Sequence, residues 1–142
     1  MESQFEFGSR VGVRGSLYTR SRADVKQMWR LLRLFEKHNH KITIYAVAQA
    51  FEKNPQVSEA CDDAGHEIAS HGMRWIDYRD LPAEQEEDLI RQAVASFQKM
   101  SKKGKAPVGW YYGRPSPRSR ALISKVCKDL GLELLYNSDN YA

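Results

Sequence analysis

Short β-prone runs alternate with stretches of helical periodicity from residue 28 to residue 138, and this alternation limits the possible folds more than any other feature. Residues 28–38 (MWRLLRLFEKH) set Met28, Leu31, Leu32 and Phe35 at helical spacing, and KITIYAVAQAF then switches to a β-branched run. A short helix over 48–53 breaks at Pro55, a second runs from about 57 to 64, and EIASH follows as a strand. Pro82 opens a long helix. Its first turns hold Glu84, Glu86, Glu87 and Asp88 and its end holds Lys99, Lys102 and Lys103, a polarity that suits the helix macrodipole. Leu89, Ile90, Ala93, Val94, Phe97 and Met100 form its apolar stripe. PVGWYYG then reads as a strand and SPRSRALISKVCKDLG as a helix, with Ser116 as its cap, Pro117 at its first position and Gly131 closing it. LELLYNSD reads as a last strand. Strands and helices in this order predict an α/β domain of about four parallel strands with flanking helices. Four strands do not close an eight-stranded barrel, and parallel strands need both faces covered.

The stretch GHEIASHGMRWIDY invites comparison with a helical zinc-protease motif, because it carries His66, Glu67 and His71 in that order. The spacing forbids it. Ligands of an H-E-x-x-H helix stand four residues apart on one face, whereas an interval of five swings the second imidazole roughly 140° away at about 100° per residue. The segment follows Asp62-Asp63-Ala64-Gly65 as a helix stop and reads as a strand, with Glu67, Ala69 and His71 on one face and His66, Ile68 and Ser70 on the other. His71 falls at its C-terminal end. His66 is expected to pack towards a helix, and His38 and His40 lie in a helix-ending loop exposed to solvent.

With 142 residues, 42% of them hydrophobic, one ordinary core is possible and nothing calls for a second domain. The net charge of +4 gathers at Arg14, Arg20, Arg22 and Lys26 and again at Lys102, Lys103 and Lys105, which are expected to be solvated loops; no nucleic-acid motif accompanies them. Cys61 and Cys127 sit in apolar helical patterns without CxxC spacing, as buried free thiols of a reducing compartment do. No apolar stretch approaches the roughly 18 residues of a membrane span, and the polar start lacks a signal-peptide core, so a cytoplasmic protein with no membrane and no nucleic-acid partner is expected. Residues 14–28 (RGSLYTRSRADVKQM) are arginine-rich and poor in apolar side chains, and read as a surface loop inserted into the domain.

The segments MESQFEFGSRVGV, WRLLRLFEKHNHKITIYAVAQAFEKNP, GHEIASHGMRWIDYRD, GWYYGRPSPRSR and LYNSDNYA together resemble the polysaccharide deacetylase (NodB-homology) superfamily, and within it the metal-independent, PuuE-type allantoinases. The resemblance implies part of a deformed (β/α) barrel and hydrolysis of a non-peptide carbon–nitrogen bond. In deacetylases of the superfamily an early aspartate and two histidines of an H-[ST]-x-x-H pattern bind a divalent metal. On this sequence the first histidine is His71, and the second position is Trp75 in HGMRW. An indole nitrogen only donates, so a two-histidine site is excluded, no metal and no cofactor are expected, and the implied substrate moves from an acetylated sugar to a cyclic ureide. The start MESQFEFGS resembles an internal piece of such enzymes, and Ala142 follows a segment that in them leads into later strands. About half a barrel is therefore expected, of low stability alone and with no measurable allantoin hydrolysis, the first acidic catalytic motif lying elsewhere. A possible homo-oligomer or a non-catalytic binding remnant is the alternative reading, and a metal-dependent chitin or polysaccharide deacetylase a third.

The candidate catalytic residues are His71, as a strand-end imidazole that exchanges a proton or orients substrate, and Glu67, which shares its face. Buried as an anion, Glu67 needs a partner such as Arg74 or Arg114, and is then a structural acid instead. Trp75, Arg74, Trp110 and Tyr112 are candidates for binding a small planar substrate, Trp75 and Trp110 on the strength of the resemblance. Arg114 follows a strand end and Gly113, a place suited to an oxyanion or ureido carbonyl, and Asp139 after the last strand is a further binding candidate.

Overall fold

A six-stranded sheet in the order β2-β1-β3-β4-β5-β6 carries the molecule. The computed structural model describes residues 3–8, 14–19 and 22–139. The last four strands in the chain, β3 (Thr43–Ala46), β4 (Glu67–Ser70), β5 (Gly109–Trp110) and β6 (Tyr136–Asn137), are parallel and joined through helices, as the alternation predicts. Their register aligns Thr43 with Glu67, Ser70 with Trp110, and Trp110 with Asn137. Against β3 lies an antiparallel strand β1 (Ser3–Gly8), itself paired with β2 (Arg14–Thr19).

The hairpin corrects the reading of residues 14–28 as a loop. Arg14–Thr19 form β2, and α1 (Arg22–Lys37) begins six residues before its apolar repeat at Met28. An extended segment with few apolar residues can still be a strand, because the backbone ladder with β1 satisfies its amide groups whatever the side chains are.

The other helices are α2 (Ala48–Lys53), α3 (Pro55–Asp63), α4 (Ala83–Met100) and α5 (Ser119–Asp129). Pro55 starts α3 at its first position, where the missing N–H costs nothing. Along β3 burial alternates: Ile44 and Ala46 are fully buried, whereas Thr43 and Tyr45 on the opposite face are half-buried. The buried face joins one core with Met28 and Leu32 of α1, Phe51 of α2, Cys61 of α3, Ile90, Val94 and Phe97 of α4, and Ile123 and Val126 of α5. Phe51 and Phe97 meet edge to face at 6.3 Å between centroids. Each large apolar side chain sequestered in this way contributes about 1.5–3 kcal/mol. Cys61 and Cys127 are buried free thiols, and burial, aided by the charge of Asp62, pushes the Cys61 thiol up to about 12.

Two local expectations change. Ser116 does not cap α5, which starts at Ser119 after an Arg118 cap without a side-chain bond. The Ser116 hydroxyl instead accepts the Arg118 N–H (3.1 Å) and donates to the buried Glu86 (2.7 Å). The strands expected over PVGWYYG and LELLYNSD shrink to two residues each. Their ladder ends because the N–H groups of Tyr112 and Gly113 turn to the carboxylate of Asp139 rather than to a neighbouring strand.

Candidate functional site

The site is built where β4, β5 and β6 end. His71 follows β4, and its N–H extends the pairing with β3 by donating to the carbonyl of Ala46 (2.8 Å). Its Nδ1 lies 2.6 Å from the carbonyl oxygen of Tyr111. A carbonyl can only accept, so Nδ1 carries the proton and Nε2 holds the basic lone pair. The imidazole also stacks on the ring of Tyr111, with centroids 5.3 Å apart and planes within 10°. Tyr111 in turn meets Tyr45 at 5.3 Å, and the Tyr45 hydroxyl lies 3.3 Å from Oγ of Ser138. β3 and the positions just past β4, β5 and β6 thus each give one side chain to a continuous polar and aromatic strip, with the 2%-exposed His71 at one end.

Gly72 makes the turn out of β4. Its φ is +81°, and a Cβ there would stand 2.5 Å from the ring of Tyr112 and 2.6 Å from the hydroxyl of Tyr78, so no side chain fits. The carbonyls of Gly72 and Met73 accept the N–H groups of Ala48 and Gln49, which ties this turn to the start of α2. Further on, the guanidinium of Arg114 lies over Trp75, 5.2 Å from the ring centroid. The two loops that carry them are joined by the Tyr78 N–H, which donates to the carbonyl of Arg114 (3.2 Å), and by the Tyr78 hydroxyl, which donates to the carbonyl of Arg74 (2.8 Å). Asp139 holds the second loop from below: its carboxylate accepts from Tyr112 N–H (2.9 and 3.0 Å) and Gly113 N–H (2.8 Å). A cleft of about 130 Å³ beside Asp139 is bounded by Pro115, Ser116, Arg120 and Asn137.

His71, Trp75, Arg114 and Asp139 are therefore brought to the same end of the sheet. Glu67 is not. It opens β4 at the opposite end, where its carboxylate accepts hydrogen bonds from Thr43 Oγ1 (3.1 Å) and from the Tyr136 hydroxyl, and neither Arg74 nor Arg114 is its partner. Four residues of strand separate its Cα from that of His71, about 13 Å. Trp110 and Tyr112 alternate onto the helix-covered face, fully or nearly fully buried, where Tyr112 stacks on Tyr78 at 4.0 Å; they shape the core and do not line the strip. Arg74 contributes its carbonyl, while its side chain is exposed. Tyr111, Tyr45 and Ser138 join His71 in this strip, and the sequence reading passed over them. The strand alternation in GWYYG carries the signal, since it puts Tyr111 on the face opposite Trp110 and Tyr112.

Among the described residues no group of three or more His, Cys, Asp or Glu is arranged to hold an ion, and the indole of Trp75 offers no lone pair. No helix among the described residues is long and apolar enough to cross a membrane.

Comparison with known proteins places this geometry. A putative polysaccharide deacetylase of Schizosaccharomyces pombe is 43% identical over 141 residues, 99% of this chain and 39% of its own length. The crystal structure of a probable polysaccharide deacetylase from Pseudomonas aeruginosa superposes with a TM-score of 0.71 at 43% identity, covering 80% of this chain and 36% of that one. The crystal structure of a PuuE allantoinase superposes with the same TM-score of 0.71 at 33% identity, covering 89% of this chain and 43% of that one. The chain thus spans well under half the length of these relatives, and its four parallel strands with flanking helices are part of a deformed (β/α) barrel of the NodB type. The sequence profile of the polysaccharide deacetylase family matches residues 21–135, from α1 to the threshold of β6, and to that family the chain belongs.

Proposed function

We propose that this chain carries part of an active site for hydrolysis of a non-peptide carbon–nitrogen bond, in the form of ring opening of a cyclic ureide. The observation that carries the reading is the fixed tautomer of His71, whose Nδ1–H is held by the carbonyl of Tyr111 so that Nε2 is the basic atom. In the proposed reaction water attacks a ring carbonyl and Nε2 accepts the water proton. The carbon–oxygen bond forms, the carbon–nitrogen bond breaks, and the proton passes from His71 to the departing nitrogen. The guanidinium of Arg114, steadied over Trp75, supplies positive charge to the oxyanion of the tetrahedral intermediate. Tyr45 and Tyr111 of the strip, and Trp75 beneath Arg114, offer flat apolar faces to a planar ring. Trp75 at the position of a metal-binding histidine and the likeness to an allantoinase at 33% identity support a ureide.

A second reading, removal of an acetyl group from a sugar amide, is favoured by the naming of the relatives at 43% identity as polysaccharide deacetylases. One experiment separates the two: the full chain is offered allantoin and, in parallel, an N-acetylated chito-oligosaccharide. Ureide opening that falls by about 10²-fold or more in His71→Ala supports the first reading. Acetate release without ureide opening selects the second. Turnover is not required of part of a barrel, so binding decides: a folded chain whose tryptophan fluorescence is unchanged by either compound overturns both.

A further inference from the structure

A second cleft, of about 600 Å³, opens at the other end of the parallel strands, between the C-terminal ends of α3 and α4 and the loop that follows α4. His66 lines it. The residue is only 7% exposed, and neither ring nitrogen has a hydrogen-bond partner among the described residues. Burial and then the charge of Lys41 lower its pKa and so favour the neutral ring, which has one N–H to donate and one lone pair to accept. A buried polar group left unpaired is costly, and a ligand that meets it recovers that cost.

The charges around His66 are unequally spent. From α3, Asp63 pairs with Lys102 (2.6 Å) and Asp62 accepts the Lys102 N–H (3.1 Å). From β4, Glu67 is held by Tyr136 and Thr43. Lys41 donates to the carbonyl of Ala64, just past the end of α3, and so offsets the negative pole that the helix turns towards the cleft. Lys103 and Lys105 line the cleft, are exposed, and form no ion pair among the described residues. Beneath them Ile68, Phe97 and Val108 supply an apolar floor. An apolar floor, a buried neutral imidazole and two uncommitted ammonium groups suit one chemical class, an oxyanion on a small apolar body.

We propose that this cleft binds a small organic anion, with His66 donating to the oxyanion, Lys103 and Lys105 supplying charge, and the floor seating the apolar part. The site is separate from the strip around His71 and does not depend on the reaction assigned to it, because the two lie at opposite ends of the strands.

The test follows the imidazole resonances of His66 and His71 in the full chain by NMR, at constant ionic strength, during titration with phenyl phosphate, benzoate and benzamide. The expected result is a saturable shift at His66, with His71 unmoved, for at least one of the two anions; which one responds distinguishes a phosphate from a carboxylate ligand. Benzamide, with the same ring and no charge, is expected to be without effect. Exchanging both exposed lysines (Lys103→Glu, Lys105→Glu) should weaken binding by about tenfold or more, the weight of two partly screened charges, while leaving the fold intact. A silent His66, an equal response to benzamide, or unchanged affinity in the double variant would each overturn the proposal.

Discussion

His71 and Glu67 differ in what the alternation of a strand can reveal about a single residue. A period of two assigns a face but not a depth, so EIASH marks Glu67 and His71 as neighbours on one side while the fold sets them at opposite ends. The place of His71 just past the C-terminal end of a parallel strand was legible from where the EIASH run stops. Its Nδ1 bond was not, since it depends on the backbone of Tyr111, forty residues away in sequence. Glu67 is a structural acid in this arrangement, and Glu67→Gln, which keeps an acceptor for one of the two hydroxyls and offers the other an N–H to accept, should cost less than about 1.5 kcal/mol and leave any turnover within a few-fold; a loss comparable with that of His71→Ala would contradict this role. Asp139 carries more weight than a residue after the last strand suggests. Asp139→Ala leaves the Tyr112 and Gly113 N–H groups without their acceptor, and is expected to lower stability by about 2 kcal/mol and to free the Arg114 loop. Urea unfolding measures the first effect, and loss of the Trp75 contact, seen as a shift in tryptophan emission, reports the second.

At the scale of elements, periodicity located all the helices of the parallel part, because each buries an apolar stripe whose spacing the chain must repeat. Helix starts were less legible. The stripe of α4, through Ile90, Val94 and Phe97, continues back to Glu86, which is fully buried although it belongs to an acidic run that reads as solvent-facing. Its carboxylate accepts hydrogen bonds from Ser116 (2.7 Å) and Ser119, with the guanidinium of Arg118 at 4.0 Å, so it clasps the start of α5 to the start of α4. Glu86→Ala should destabilise by about 3 kcal/mol through the stranded hydroxyl groups and the lost clasp, read as a lower urea midpoint with an unchanged slope. The short strands are pinned by shape instead. A Cβ on Gly109 would stand 2.0 Å from the ring of Tyr136, which lies across β5 on its way to Glu67. Gly109→Ala is therefore expected to displace that ring and cost about 1–3 kcal/mol, and an undiminished cost when Tyr136 is also replaced by Ala would argue against the close approach. The β1–β2 hairpin escaped the sequence reading because its pairing is a property of two strands together, while the arginine-rich composition of residues 14–28 describes only one.

Across the whole molecule the two faces of the sheet obey different rules, and both depend on tyrosine. The helix-covered face is a hydrophobic core in which Tyr78 and Tyr112 stack, and on the opposite, more polar face Tyr136 donates to Glu67. Burial is the first cause that pushes the phenols of Tyr78, Tyr112 and Tyr136 up from their ordinary value; for Tyr136 the bond to Glu67 and that residue's charge add to it. A phenol is neutral when protonated, so raising its folded pKa above the unfolded value of about 10 means that the unfolded chain releases its protons first. The contribution of these three groups is fully present below about pH 10 and is lost as the pH rises beyond it, as the unfolded state gains more from each deprotonation than the folded state can. Alkaline unfolding should accordingly be cooperative and should coincide with ionisation of Tyr78, Tyr112 and Tyr136, three of the seven tyrosines. Phenolate absorbance near 295 nm and far-ultraviolet circular dichroism, followed together during titration, test the link. A step in absorbance is expected at the pH at which the helices melt, as these three phenols are released. Replacing Tyr136 with Phe removes one of the three and its bond to Glu67 together, so the melting step should shrink by one phenolate. Smooth ionisation of all seven before any loss of helix would show that neither face of the sheet shelters its tyrosines from water.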